Sequence, residues 1–160
     1  MIYEECDTKI GRLRFIFKEN DGALQRILLT DDLWHSNYAG RVMKRSNELG
    51  KPVCRQIQEY LNGDRLQFNL PFELVGTPFQ KQIWQALQTI PYGQTKSYSE
   101  IADSIGRPKA ARAVGYANAL NPLPLLFPCH RVIGKNKTLT GYAGGIEMKK
   151  QLLQIEGAII

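Results

Sequence analysis

Between Pro71 and Pro78 the hydrophobic pattern of this 160-residue chain changes period, so its two halves must fold on different principles. Before the break, Leu13, Phe15 and Phe17 alternate with Arg12, Arg14, Ile16 and Lys18, close to the period of two that a strand requires. Asp21-Gly22 then separates two apolar runs, and such pairs favour the positive-φ turns of hairpins. Leu66, Phe68 and Leu70 alternate again and predict another strand. Between them PVCRQIQEYLNG reads as a helix, with Pro52 in its first turn and Gly63 as its stop. Residues 1–75 are therefore expected to form an α/β domain.

After the break the pattern becomes helical. Phe79, Ile83, Trp84, Leu87 and Ile90 share a helical spacing that ends before Pro91-Tyr92-Gly93. In SYSEIADSIG, Ser97 and Glu100 form a capping box and Gly106 ends the helix. Pro108 opens KAARAVGYANAL, and the two short helices joined by Gly106-Arg107 make a helix-turn-helix candidate. NPLPLLFPCHRVIG follows. Its three prolines within seven residues exclude a regular helix, and Pro128 disfavours the α conformation at Phe127. An extended chain is expected where Cys129 sits. GIEMKKQLLQIEG predicts a last helix ending near Gly157. Residues 76–160 are thus expected to be a mainly α domain.

Charge follows the same division. Residues 1–75 carry eleven Lys/Arg and eleven Asp/Glu, whereas residues 76–160 carry ten and four, so the second half holds the whole excess of +6. A polyanion-binding surface needs such an excess, because phosphate contacts supply much of the affinity for DNA. An inert solvated basic face fits the charge equally well. No apolar run of about eighteen residues predicts a membrane span, and MIYEECDTKI lacks the apolar core of a secretory leader.

Cys6, Cys54 and Cys129 are odd in number and widely spaced, which does not read as a disulfide framework. They are expected to be free thiols of a reducing, cytoplasmic compartment, with Cys6 and Cys54 as packing residues. With no CxxC pair and two histidines, the chain predicts no metal site. His35, beside Trp34, reads as a surface loop residue.

Cys129-His130 is the sharpest chemical feature. A thiolate is a strong nucleophile, and imidazole is the common base that generates one. A nearby imidazolium or other cation lowers a thiol pKa, and Arg131 adds charge beside the pair. For an arbitrary Cys-His dipeptide the better reading is a buried small hydrophobe next to a satisfied polar group. Tyr98 taken alone reads better as a core aromatic, and Glu156 alone as a solvated helix residue.

The surrounding frame changes that balance. Asn121-Pro122, then PCHRV, with Tyr98 in SYSEIA, Arg112 in KAARAVG, Tyr142-Ala143-Gly144-Gly145 and Glu156, resembles the O6-alkylguanine-DNA alkyltransferases. The resemblance is strong over residues 76–157. It implies a ribonuclease-H-like N-terminal domain (1–75) and a mainly helical domain (76–160) with a winged-helix-like helix-turn-helix. It implies irreversible, single-turnover transfer of an alkyl group from guanine O6, and from thymine O4, to Cys129. His130 would act on Cys129 through a bridging water and Glu156 would orient the imidazole. Tyr98 would donate to the base ring, the Ala143 N–H would face O6, and the Cys129 and Val132 carbonyls would accept from the exocyclic amine. Tyr142 and Gly144 complete that pocket. Arg112 would enter the minor groove and fill the stack left by a flipped nucleotide. Ala110, Ala111, Ala113 and Gly115 would let the helix approach the groove walls, although alanines also simply favour helix. Asn121 matches a structural hinge. The resemblance implies no metal or organic cofactor, and double-stranded DNA carrying alkylated guanine as partner of a monomer without membrane attachment.

Ala143 stands where some members have serine, and Tyr116 where some have glycine. Two rivals come from other classes. A non-catalytic binder of alkylated DNA would lack the acceptor cysteine. A helix-turn-helix regulator would bind a sequence and ignore lesions. A thiol hydrolase is weaker still, since no acyl pocket is legible.

Overall fold

A computed structural model describes residues 1–158. It divides into two compact units, Met1–Leu74 and Val75–Ile160, the last two residues lying outside the described part. None of its described helices is long and apolar enough to cross a membrane.

The first unit is a four-stranded sheet with two helices. Strands β1 (Ile2–Thr8), β2 (Gly11–Phe17), β3 (Leu24–Leu28) and β4 (Lys44–Arg45) lie in the order β3-β2-β1-β4. The β1–β2 and β2–β3 pairs are antiparallel, and β1–β4 is parallel. Helix α1 (Asp31–Tyr38) is N-capped by Thr30 and α2 (Asn47–Leu61) by Ser46. From Leu13 to Phe17 every residue of β2 is buried. Ile16 and Leu28 pack with Tyr38 of α1, while Cys6, paired with Leu13 across the sheet, joins Cys54 of α2. Successive strand residues face opposite sides, so each face of β2 has its own helix. That is why Ile16 breaks the alternation.

Four expectations for this half are corrected. Residues 66–70 form no strand. Instead the buried Gln56 side chain donates to the Asn69 carbonyl and accepts from the Asn69 N–H, both at 2.9 Å, which satisfies the backbone locally. Only Phe72 bridges the sheet, beside Leu24. Helix α2 begins at Asn47 rather than at Pro52, because Ser46 caps it and Pro52 is tolerated on its exposed side. Cys6 and Cys54 form a disulfide, with Cα atoms 5.7 Å apart, so they are not merely packing thiols. Their pairing across 48 residues depended on α2 folding back over β1, which spacing does not reveal. His35 is exposed but helical, within α1.

The second unit contains α3 (Pro78–Leu87), α4 (Tyr98–Ser104), α5 (Ala111–Ala119) and α6 (Ile146–Ile155), with a short parallel pair of β5 (Lys96–Ser97) and β6 (Val132–Ile133). Capping boxes at Thr77/Gln80 and Ser97/Glu100 fix the starts of α3 and α4. Ile83, Trp84, Leu87, Ile101, Val114, Leu152 and Leu153 form its buried apolar interior. The Trp84 indole N–H donates to the Ala117 carbonyl at 2.9 Å, tying α3 to α5. A Cβ on Gly76 would lie 2.4 Å from the Trp84 ring, so the residue entering α3 must be glycine.

Two expectations shift here. Pro108 lies in the turn before α5, which starts at Ala111. The segment at Cys129 is not extended: Cys129–Arg131 form a single 3-10 turn, with the Arg131 N–H donating to the Pro128 carbonyl at 3.0 Å. Prolines forbid a continuing helix, but Pro128 can open one turn because no N–H is needed there. Leu125, buried in the preceding loop, takes φ 79°, a left-handed conformation unusual for leucine.

Candidate active site

Cys129 is the free cysteine of the described chain, and it is 3% exposed. Burial pushes its thiol up to about 11, against the opposing pull of an Asn121 hydrogen bond and the Lys149 charge. The resting group is therefore a neutral thiol, which corrects the expectation of a depressed pKa. Arg131 is not the cation that faces it.

Arg131 instead belongs to Glu156. Its Nε and one terminal nitrogen donate to the two carboxylate oxygens at 2.9 and 2.8 Å, and its other terminal nitrogen donates to the Ile90 carbonyl at 2.8 Å. His130, fully buried, has Nε2 2.9 Å from the same carboxylate. An ionised carboxylate only accepts, so Nε2 carries the proton and Nδ1 is the basic nitrogen. Burial lowers the His130 pKa below its ordinary value, against the pull of Glu156, so the imidazole is neutral at neutral pH and able to take a proton. Glu156 is no solvated helix residue. It is buried at the C-cap of α6.

Three neighbours went unnoticed in the sequence. Lys149, on α6, is wholly buried and donates to the Val132 carbonyl at 2.6 Å and the Thr140 carbonyl at 3.4 Å. Burial lowers its pKa to about 8, while the Cys129 charge opposes that shift. Asn118, on α5, donates to the Cys129 carbonyl at 3.3 Å. Thr140 lies 2.6 Å, oxygen to oxygen, from the Tyr98 hydroxyl. A lysine in IEMKKQLL looks solvated by default, and only its helical register with buried Leu152 and Leu153 could have exposed it.

Asn121 does more than shape a turn. Its amide donates to the Phe127 carbonyl at 2.7 Å and its oxygen accepts from the Leu123 N–H at 3.0 Å, which holds the loop that leads into Cys129. Tyr98 opens α4 and lines a cavity of about 400 Å³ with Ser97, Ser99, Ala111, Arg112, Gly115 and Lys135. Arg112 and Ala113 are exposed on α5, Ala110 and Ala111 are half-buried, and Gly115 faces the Tyr98 ring, where a Cβ would lie at 3.7 Å. Val132 is buried beside the 3-10 turn, and Tyr142, Ala143 and Gly144 form the turn before α6. Cys129, His130, Glu156, Val132 and Lys149 thus lie in one buried cluster, with half-buried Asn121 holding the loop before it. Tyr98, Arg112, Ala111 and Gly115 share the cavity. Among the described residues no group of three or more His, Cys, Asp and Glu is placed to hold a metal.

A family model described as 6-O-methylguanine DNA methyltransferase, DNA binding domain, matches residues 78–158. The constitutive methylated-DNA–protein-cysteine methyltransferase of Bacillus subtilis (strain 168) is 45% identical over 158 residues, covering 96% of this chain and 94% of its own. The chain belongs to the methylated-DNA–protein-cysteine methyltransferase family. A second relative of that name, from Mycobacterium tuberculosis (strain H37Rv), is 54% identical over 101 residues, which are 63% of this chain and 61% of the relative. Among solved structures, Mycobacterium tuberculosis OGT in complex with DNA is similar with a TM-score of 0.87 at 39% identity, covering 98% of this chain and 93% of that one. The O6-methylguanine-DNA methyltransferase of Pyrococcus kodakaraensis KOD1 follows at 0.72 and 26% identity, covering 98% and 99%. Membership in this methyltransferase family gives the buried Cys129–His130–Glu156 cluster its chemical context.

Proposed function

We propose that this chain repairs alkylated DNA by moving the alkyl group from guanine O6 onto Cys129 Sγ, once per molecule. The observation that carries this reading is a buried free thiol followed directly by a neutral imidazole that a buried carboxylate holds in one tautomer. This is nucleophile, base and orienter in sequence. The thiol proton passes to His130 by way of a bridging water. The sulfur forms a bond to the alkyl carbon while that carbon's bond to O6 breaks. The electron pair left on guanine is neutralised by a proton returned to the base. The products are a thioether and ordinary guanine, and no other reactant is needed. Thymine O4 presents the same bond and is a second substrate.

Base positioning falls to Tyr98, donating to the ring, to the Ala143 N–H opposite O6, and to the Cys129 and Val132 carbonyls opposite the exocyclic amine, with Tyr142 and Gly144 around them. Arg112 on α5 enters the minor groove and replaces the flipped nucleotide, while Ala110, Ala111, Ala113 and Gly115 keep the helix slim. Exposure of Arg112 and Ala113 supports that assignment. The sheet order β3-β2-β1-β4 with a parallel last pair supports a ribonuclease-H-like first domain, and α4–α5 beside the β5–β6 pair supports a winged-helix-like second one. The proposed domain boundary, between residues 75 and 76, lies one residue from the division of the two compact units. A cytoplasmic monomer without membrane attachment fits a substrate that is cellular DNA. That placement rests on the substrate, since the Cys6–Cys54 disulfide removes the free-thiol argument for it.

Intact-mass measurement with peptide mapping, after mixing with a duplex holding one O6-methylguanine, tests the proposal. One methyl at Cys129, saturating at one per chain, is expected. Lesion binding without mass gain would establish the non-catalytic binder instead.

A further inference from the structure

Tyr98 has little freedom. It is the first residue of α4, immediately after the Ser97 cap of a complete capping box, and its ring is flanked by Gly115. Its hydroxyl oxygen lies 2.6 Å from Thr140 Oγ1, at the short end for two hydroxyls. Thr140 is itself held. Its carbonyl accepts from Lys149 Nζ, and the same ammonium grips the Val132 carbonyl just beyond the Cys129 turn. Its methyl group reaches within 3.1 Å of where a Cβ on Gly134 would stand, and the Gly134 N–H donates to the Thr138 carbonyl at 2.8 Å. A hydrogen-bonded connection therefore runs from the cavity, through Tyr98 and Thr140, to the lysine beside Cys129.

A phenol has one proton to give and lone pairs with which to accept. In the pair with Thr140 either oxygen can donate. Once Tyr98 gives its proton to a base in the cavity, the short contact survives only if Thr140 donates to the Tyr98 oxygen. A phenol that accepts a hydrogen bond becomes a stronger donor through its own O–H. A stronger donor is needed as negative charge develops on the leaving guanine.

Building on the proposed alkyl transfer, we propose that Thr140 is a positioning residue that donates to the Tyr98 hydroxyl and fixes its proton on the departing base. Its effect belongs to the transfer step and acts through Tyr98 alone.

The test is single-turnover transfer from a duplex containing O6-methylguanine, with duplex affinity by fluorescence anisotropy, for the wild type, Thr140→Val, Thr140→Ser, Tyr98→Phe and the Tyr98→Phe/Thr140→Val double variant. Thr140→Val should slow transfer about five- to tenfold, the rate equivalent of one neutral hydrogen bond. Its duplex Kd should stay within about twofold. Thr140→Ser should restore most of the rate, and Thr140→Val should cost nothing further once Tyr98 is phenylalanine. Undiminished transfer in Thr140→Val would overturn the proposal. So would a Thr140→Ser loss as large as that of Thr140→Val, or full additivity in the double variant. A wild type that transfers nothing would instead sink the alkyl-transfer reading. The hydrogen bond is judged separately by NMR of tyrosine labelled at Cζ, where Thr140→Val should move the Tyr98 resonance; an unmoved resonance would also overturn it.

Discussion

His130 and Arg131 are consecutive in the chain yet share one carboxylate, and this sharing organises the chemistry at the residue scale. Glu156 fixes the imidazole tautomer, and burial, helped by the Arg131 charge on the same carboxylate, keeps the imidazole uncharged although that carboxylate touches it. Glu156→Gln would leave the Arg131 guanidinium buried without its counter-charge, a loss of about 3–5 kcal/mol. A fall in melting temperature at neutral pH is the expected result, and an unchanged melt would show the pair to be dispensable. Cys129→Ser should keep duplex binding and abolish methyl gain by mass, since a hydroxyl at this site lacks a thiolate's nucleophilicity. Lys149 and Cys129 predict the pH behaviour. The folded thiol titrates at about 11, above its ordinary 9.0, so its contribution to stability is complete below pH 9 and is lost as pH rises towards 11. Lys149 works the opposite way: its pKa is lowered to about 8 from 10.5, so it costs stability at low pH and that cost lifts between pH 8 and 10.5. Lys149→Met should abolish the rise in stability between pH 8 and 10.5, read by denaturant midpoint; a rise that persists would assign it to another group.

At the scale of elements, the start of α4 was legible because a capping box is local chemistry, and that of α3 because helical periodicity begins at Pro78. The starts of α2 and α5 were not, because a proline permits a helix start without requiring one. The absent strand at 66–70 has the same origin: alternation describes a half-buried ribbon, but a partner strand has to be there, and Gln56 took its place. In α2, Gly50 admits the Glu4 side chain so closely that a Cβ would lie 2.2 Å from Glu4 Cγ. Gly50→Ala should therefore destabilise the chain by about 1–3 kcal/mol, as overpacking does, rather than stabilise it as in a free helix; a denaturant midpoint that rises would refute this packing. For α5, Arg112→Ala should slow repair in duplex far more than attack on a free alkylated base, because flipping is needed only in the duplex. Equal losses would assign Arg112 another role.

At the scale of the molecule, the second half carries the whole positive excess, so affinity for duplex should fall steeply as salt rises. A flat salt titration would contradict a phosphate-tracking surface. The break between Pro71 and Pro78, the helix-turn-helix pair and the Cys129-His130 dipeptide could all be read from local pattern and motif, since each depends on residues adjacent in the chain. What the thiol experiences could not. Its neutral state follows from burial, its cation is Lys149 rather than adjacent Arg131, and its base is held by a carboxylate 26 residues on in sequence. The Cys6–Cys54 link and the left-handed Leu125 belong with these. Local order specifies periodicity, caps and which atoms are nucleophilic. Desolvation, charge pairing and disulfide reach depend on distances between segments remote in sequence, and those exist only once the chain has packed.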